Sequence, residues 1–296
     1  MSSPSLDPAL AALLGRVWPR VPGAVARAAA LGFAWTDVST PFVRREGGRT
    51  VGHVGLIELP LVLGGRPIHV GSIHAVCTDP EHRRRGIAHA LMAEAMTEAD
   101  RRFETVILTT VIPEFYTRFG FRVVREHAFT HPLASRPGRP PISGGGRRLE
   151  AREADARLLR RLLGGRAPVS LRGGSVEAGV VFVVALLLIW GDLARVHHHE
   201  ALDLITVHEI RGGELALHDV VGAEIPPLET IVRAIGGDVS RVRAYFAPDR
   251  LGGEWTAEPW DQERAAEHGD VWYDALMVRG PWPIDGAFML PPLSRT

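Results

Sequence analysis

Apolar, β-branched runs at residues 33–43, 50–59 and 68–77 are separated by Glu46-Gly47-Gly48 and Gly64-Gly65, and they predict three strands of an antiparallel meander. From about Gly86 the period changes. Ala88, Leu91, Met92, Ala95, Met96 and Ala99 fall at i, i+3, i+4, i+7, i+8 and i+11, while Glu94, Thr97, Glu98 and Arg101 fall elsewhere, so an amphipathic helix packs on the sheet. Residues 104–110 then read as strand, Pro113 opens a short helix, and another strand runs to about Phe129. Ahead of the meander, residues 6–31 are rich in Ala and Leu and divided by Pro19 and Pro22, which predicts two short helices, or a helix and a turn, covering the sheet. A meander feeding a βαβ unit gives a mixed sheet.

Residues 131–148, HPLASRPGRPPISGGGRR, are dense in Pro, Gly, Ser and Arg and have no periodicity. They place a linker at 135–148 between units 1–134 and 149–296. The second unit opens with a helical stretch and an apolar run at 180–190, too short for the roughly 20 residues of a membrane span. Strands are expected at 202–210 and 214–221 around Arg211-Gly212-Gly213, a helix at 227–235, and further strands at 241–246 and 274–279. The fold class is α+β, with a mixed sheet flanked by helices in the first unit and a smaller α/β unit after the linker.

Length suits two domains, each with its own core: the chain has 296 residues. The 34 basic and 34 acidic side chains cancel, so no basic field points to nucleic acid. Every basic residue of that set is Arg. A single cysteine, Cys77, excludes an internal disulfide and fits a reducing cytoplasm, and its place in an apolar strand makes it a packing residue rather than a reactive thiol. No charged segment followed by an apolar core marks a secretory signal at the N-terminus.

The chemistry concentrates at residues 79–88, DPEHRRRGIA. Arg83, Arg84 and Arg85 stand where the following helix presents its unpaired N–H groups and the positive end of its dipole. Cations there cost a few tenths of a kcal/mol each unless an anion binds. Gly86 lets the backbone approach such an anion, Ile87 follows, and Ala88 is too small to block it, so several amides can converge on phosphate oxygens. The expected ligand is a pyrophosphate; a solvated arginine cluster before a surface helix is the alternative.

With the downstream stretch Phe115-Tyr116-Thr117-Arg118-Phe119-Gly120-Phe121, this turn resembles the GNAT superfamily of acetyl-CoA-dependent N-acetyltransferases. Gly64-Gly65-Arg66-Pro67 and His82-Arg83-Arg84-Arg85-Gly86 resemble more specifically the Eis-type (enhanced intracellular survival) branch. The resemblance covers residues 30–130 and implies a GNAT-type first domain and a degenerate GNAT-like second one. In the latter, Gly222-Ala223-Glu224-Ile225-Pro226 replaces the arginine turn, and Glu224 would repel a pyrophosphate.

The resemblance further implies acetyl-CoA as cosubstrate, no metal, and a small-molecule amine as acceptor, with an aminoglycoside or polyamine the leading class. Val76 and Thr78 would hydrogen-bond the pantetheine arm through their backbone. Arg84, Arg85 and the amides of Gly86, Ile87 and Ala88 would take the pyrophosphate, with Arg83 directed to the adenosine phosphate or to solvent. Thr110 and Val111 would flank the coenzyme sulfur, and Tyr116 would donate a stabilising hydrogen bond or a proton to the leaving thiolate.

The general base is open. His74, on the same strand face as Val76, leads, with Asp37 and Glu58 as runners-up that could instead orient the substrate. In the Eis type the C-terminal carboxylate is implicated, but that terminus is expected to belong to a third, sterol-carrier-like domain absent from this sequence. His197-His198-His199 reads as a polar loop rather than a metal site. The seven acids of residues 254–274 read as a solvated, mobile insertion. No nucleic-acid or membrane partner is expected, and self-association is left open. A non-catalytic acyl-CoA sensor or interaction scaffold is the competing reading.

Overall fold

The computed structural model describes residues 6–133, 146–270 and 273–296. The expected linker falls mostly on residues 134–145, outside the described ones. Helices α1 (Pro8–Val17) and α2 (Val21–Ala30) come first; the Asp7 carboxylate caps α1 by accepting from the amides of Ala9 and Leu10. The meander follows as β1 (Ser39–Glu46), β2 (Arg49–Leu63) and β3 (Arg66–Thr78), then α3 (Ile87–Arg102), β4 (Val106–Thr110), α4 (Pro113–Thr117), β5 (Arg122–Val123) and β6 (Glu126–Pro132). After the linker come β7 (Arg147–Arg148), α5 (Glu153–Gly164), β8 (Gly174–Ser175), α6 (Gly179–Ile189), β9 (Val196–His199), β10 (Leu204–Arg211) and β11 (Glu214–Val221). The chain continues through α7 (Leu228–Ile235), β12 (Arg241–Ala244), β13 (Thr256–Trp260), α8 (Gln262–Glu267) and β14 (Ala275–Arg279).

The result is a mixed α+β protein with two sheets. One runs β1-β2-β3-β4-β14-β5, with β8 added to β2; the other runs β13-β6-β12-β11-β10-β9-β7. Each sheet therefore contains a strand from the other side of the linker. β14, expected within the second unit, lies antiparallel between β4 and β5, and β6 lies between β12 and β13. The physical reason is visible at β4: Ile107 and Leu108 are buried on opposite faces, and β5 has only two residues. β14 supplies Leu276, Met277 and Val278, all fully buried. Met277 joins the cluster under α3 with Tyr116 and Phe121, and Leu276 and Val278 point the other way, as strand alternation requires. On that second face, Leu59, Leu61, Leu63 and Ile107 share one core with Leu215, Leu217 and Val242 of the second sheet. The linker divides the sequence but not the sheets.

α3 buries Leu91, Met92, Ala95, Met96 and Ala99, the expected stripe. The apolar run at 180–190 forms α6, buried between α2 and α5; among the described residues no helix is long and apolar enough to cross a membrane. The His197-His198-His199 run, expected as a loop, is β9, because His199 bonds Thr206 (2.8 Å), which also bonds His208 (2.8 Å). The acid-rich stretch also departs from a solvated insertion. β13 pairs with β6, Asp261 caps α8, and buried Asp270 accepts a hydrogen bond from Tyr245 (2.6 Å).

Candidate active site

β3 and β4 run parallel but pair only at Gly71 with Val106 and at Ser72 with Ile107. Beyond these residues they part, leaving the 73–78 edge of β3 without a β4 partner. A bulge accompanies the separation. β3 carries two residues, Ala75 and Val76, where β2 carries only Val54, and Ala75 adopts φ +48. The His53 ring fixes it by donating from Nδ1 to the Ala75 carbonyl (2.8 Å). A splayed strand pair of this kind offers free backbone groups to an amide-bearing ligand. Val76 lies on the opening, whereas Thr78 lies beyond it, paired with Gly52.

At the end of β3, Asp79 ties the turn down. It accepts from the Glu81 amide (3.0 Å) and pairs with Arg16 (2.8 Å) and Arg49 (3.5 Å). Asp79, Glu81 and His82 gather within 4.8 Å of one another, but Arg16 and Arg49 supply the countercharge. Arg84 (φ +61) and Gly86 (φ +76) then turn the chain so that α3 starts with no side-chain cap and no acid in its first turn. Its leading amides are thus left for an anion. A Cβ at Gly86 would meet nothing, so glycine serves the left-handed conformation rather than space. Arg83 and Arg84 are exposed and form no ion pair among the described residues, while Arg85 reaches Glu46 (3.2 Å). Ile87, the first residue of α3, is buried, and Ala88 is half-buried.

Tyr116 sits on α4 on the other arm of the opening, 6% exposed, with its hydroxyl hydrogen-bonded to Thr110. Burial pushes its phenol up to about 12, so the proton stays on at neutral pH. Val111 and Ile112, between Thr110 and α4, are large apolar side chains left exposed. Val76, Thr110, Val111 and Tyr116 line one cavity of about 910 Å³ together with His74.

His74 is buried, with Nε2 2.9 Å from Ser39 Oγ and the edge of Trp35 against it. Burial, then the neighbouring His53, holds its pKa well below 6.5, leaving it neutral. Gly55, its partner on β2, makes the room: a Cβ there would collide with the imidazole. Asp37 is exposed on the short turn Trp35–Asp37 and does not line the cavity. Glu58 is also elsewhere, accepting from His69 (2.5 Å) and Arg102 (3.1 Å), which hold its carboxyl below the usual range. Cys77 is buried against α1 and its thiol is pushed up to about 12 by burial.

The structure adds residues that sequence reasoning passed over. Asp274, counted above only among the late acids, lines the cavity next to Ala275, the register partner of Thr110. Thr296, given no role above, stands in the cleft. Its Oγ1 bonds Ser72 (2.5 Å) and its main-chain oxygen accepts from Thr109 (3.0 Å), bridging β3 and β4 where they part. Arg295 beside it pairs with buried Glu126 (2.6 Å). These positions depend on β14 crossing into the first sheet, which no local pattern announces.

Residues 9–124 match the sequence profile of the acetyltransferase (GNAT) domain. No curated protein sequence matches the chain. Among solved structures, similarity extends over 94% of this chain and 70% of a GCN5-related N-acetyltransferase from Kribbella flavida, at 17% identity and a TM-score of 0.51. It extends over 93% of this chain and 70% of a probable N-acyltransferase from Enterococcus faecalis, at 13% identity and a TM-score of 0.53. Eis1 from Mycobacterium abscessus is similar over 80% of this chain and 63% of its own, at 16% identity and a TM-score of 0.47.

Proposed function

We propose, from the match of residues 9–124 to the acetyltransferase (GNAT) domain, that the chain transfers the acetyl group of acetyl-CoA to a primary amine by direct attack. The amine nitrogen bonds to the thioester carbonyl carbon, the carbon–sulfur bond breaks, and the thiolate takes a proton. The observation that carries this reading is the arrangement around the splayed strands. An arginine-flanked, uncapped helix start closes β3, and a protonated Tyr116 stands past the end of β4 on the shared cavity.

Arg84 and the amides from Gly86 to Ala88 take the pyrophosphate, and Arg85 joins them from its Glu46 contact. Backbone groups near Val76 receive the pantetheine arm, and the exposed Val111 and Ile112 pack on it. With its phenol held well above a thiol near 8.5, Tyr116 keeps its proton and donates a hydrogen bond to the leaving sulfur, whose proton comes from solvent. Neutral His74 on the same cavity is the candidate acceptor of the amine proton, with Ser39 holding its ring. A reducing, cytoplasmic setting suits the single buried thiol, Cys77.

The test is coenzyme release from acetyl-CoA with a panel of amines, with the acetylated product identified by mass. Acetyl-CoA binding without release on any amine would favour the sensor reading, and absence of binding would sink both.

A further inference from the structure

The wall of the main cavity restricts the kind of amine it admits, an inference that rests on the acetyl-transfer reading above. Helices α1, α2 and α6 present Leu10, Leu14, Val25, Val184, Ala185 and Leu188 to the same space as His74 and Tyr116. Two carboxylates line it, Asp7 and Asp274, together with two arginines, Arg20 and Arg295, the latter paired with Glu126. Asp7 is committed twice over, to the α1 amides and to Arg45 (2.8 Å). Asp274 is half-buried, and its side chain makes no hydrogen bond or ion pair among the described residues; burial raises its pKa, and Arg295, which lines the same cavity, offsets part of that rise. It also stands beside the Thr110–Tyr116 pair, through its neighbour Ala275.

A polycation would bring several ammonium groups against aliphatic side chains and the two cavity arginines, with Asp274 the one carboxylate to meet them, and each unpaired charge loses its hydration without return. The late acids that could have served it are engaged elsewhere: Glu258 with Arg243, Glu267 with Arg264, Asp270 with Tyr245. One ammonium on Asp274 with an apolar body along the helices satisfies both the charge and the wall. We propose that the acceptor is a monocationic primary amine with an alkyl or aryl body, its ammonium bound by Asp274, rather than an aminoglycoside or polyamine.

The experiment uses the full chain with acetyl-CoA and, as probes, butylamine, hexylamine, octylamine, phenethylamine, spermidine and kanamycin. Octylamine binding is measured separately by calorimetry. The expected kcat/KM rises roughly four-fold per added methylene, the factor for burying one CH₂, and spermidine is turned over most slowly. Asp274→Asn raises KM for octylamine ten-fold or more and leaves KM for acetyl-CoA unchanged. Leu188→Ser flattens the chain-length series while acetyl-CoA binding reports an intact fold. Preference for spermidine or kanamycin, with turnover intact, overturns the inference and leaves acetyl transfer standing. Octylamine binding without transfer overturns acetyl transfer and leaves the amphiphilic-amine pocket. A flat amine series with faster turnover of octanoyl-CoA than acetyl-CoA assigns the apolar wall to the acyl chain and overturns the proposal.

Discussion

Tyr116 is useful because burial holds its proton on: at about 12, the phenol stays a hydrogen-bond donor at any physiological pH and steadies the developing thiolate without giving the proton up. Tyr116→Phe should lower the single-turnover rate by roughly 10²- to 10⁴-fold and leave acetyl-CoA affinity within a few-fold, because only the departing sulfur needs the hydroxyl. A wild-type rate at saturating substrates would reduce Tyr116 to packing. The histidines make a second prediction. Burial lowers His74, and burial with neighbouring histidines lowers His199 to about 4 and His208 to about 3, from an ordinary 6.5. Each takes up a proton on unfolding between 6.5 and its folded value. Their contribution to stability is therefore complete above pH 6.5 and lost as pH falls, at about 1.4 kcal/mol per pH unit for each histidine in its window. Thermal unfolding from pH 7.5 down to 5 should show Tm falling, and His208→Asn should shallow the slope. A Tm flat over that range would mean that the folded state already carries these protons.

The turn between β3 and α3 was legible in the sequence because its signals are local: an Asp-Pro stop, a cluster of cations where a helix disfavours them, and a glycine at the one left-handed cap. What the sequence could not give was the division of labour among the arginines, since Glu46, which engages Arg85, sits on a distant strand end. That contact yields a directional prediction. Arg84→Ala should weaken acetyl-CoA binding by about 1.5 to 3 kcal/mol, the worth of a charge-assisted hydrogen bond. Glu46→Ala should instead tighten it several-fold, by freeing Arg85 and removing an acid near the phosphates. Calorimetry on the two variants decides, and unchanged affinity in both would remove the pyrophosphate from this turn. Other elements were misread for an equally local reason. β9 looked like a loop because histidine counts as polar, yet His199 Nε2 and His208 Nδ1 each bond the Thr206 hydroxyl and both rings are buried.

At the scale of the molecule, periodicity identified most of the longer strands, though not β9 or β13, and not which strand lies beside which, because alternation records a face and not a partner. Residues 274–279 read correctly as a strand, and their membership of the first sheet had no signature; Asp274 and Thr296 were missed with them. The exchange of β6 and β14 alters what the two halves can do alone. A fragment ending before the linker would lack β14, baring the β4 edge and the buried faces of Val106, Ile107 and Leu108, and would carry β6 with neither of its neighbours. The complementary fragment would hold β14 with no sheet to enter. Residues 1–133 and 146–296 should therefore each be insoluble or aggregated when produced alone, and soluble as a one-to-one complex when produced together. That complex should bind one acetyl-CoA, because the junction between β11 and α7 carries Glu224 and no arginine turn. Gel filtration and calorimetry of the co-produced halves give the answer. A soluble first half with full acetyl-CoA affinity would show that β14 is dispensable to the coenzyme site, and a stoichiometry of two would restore a coenzyme site to the second half.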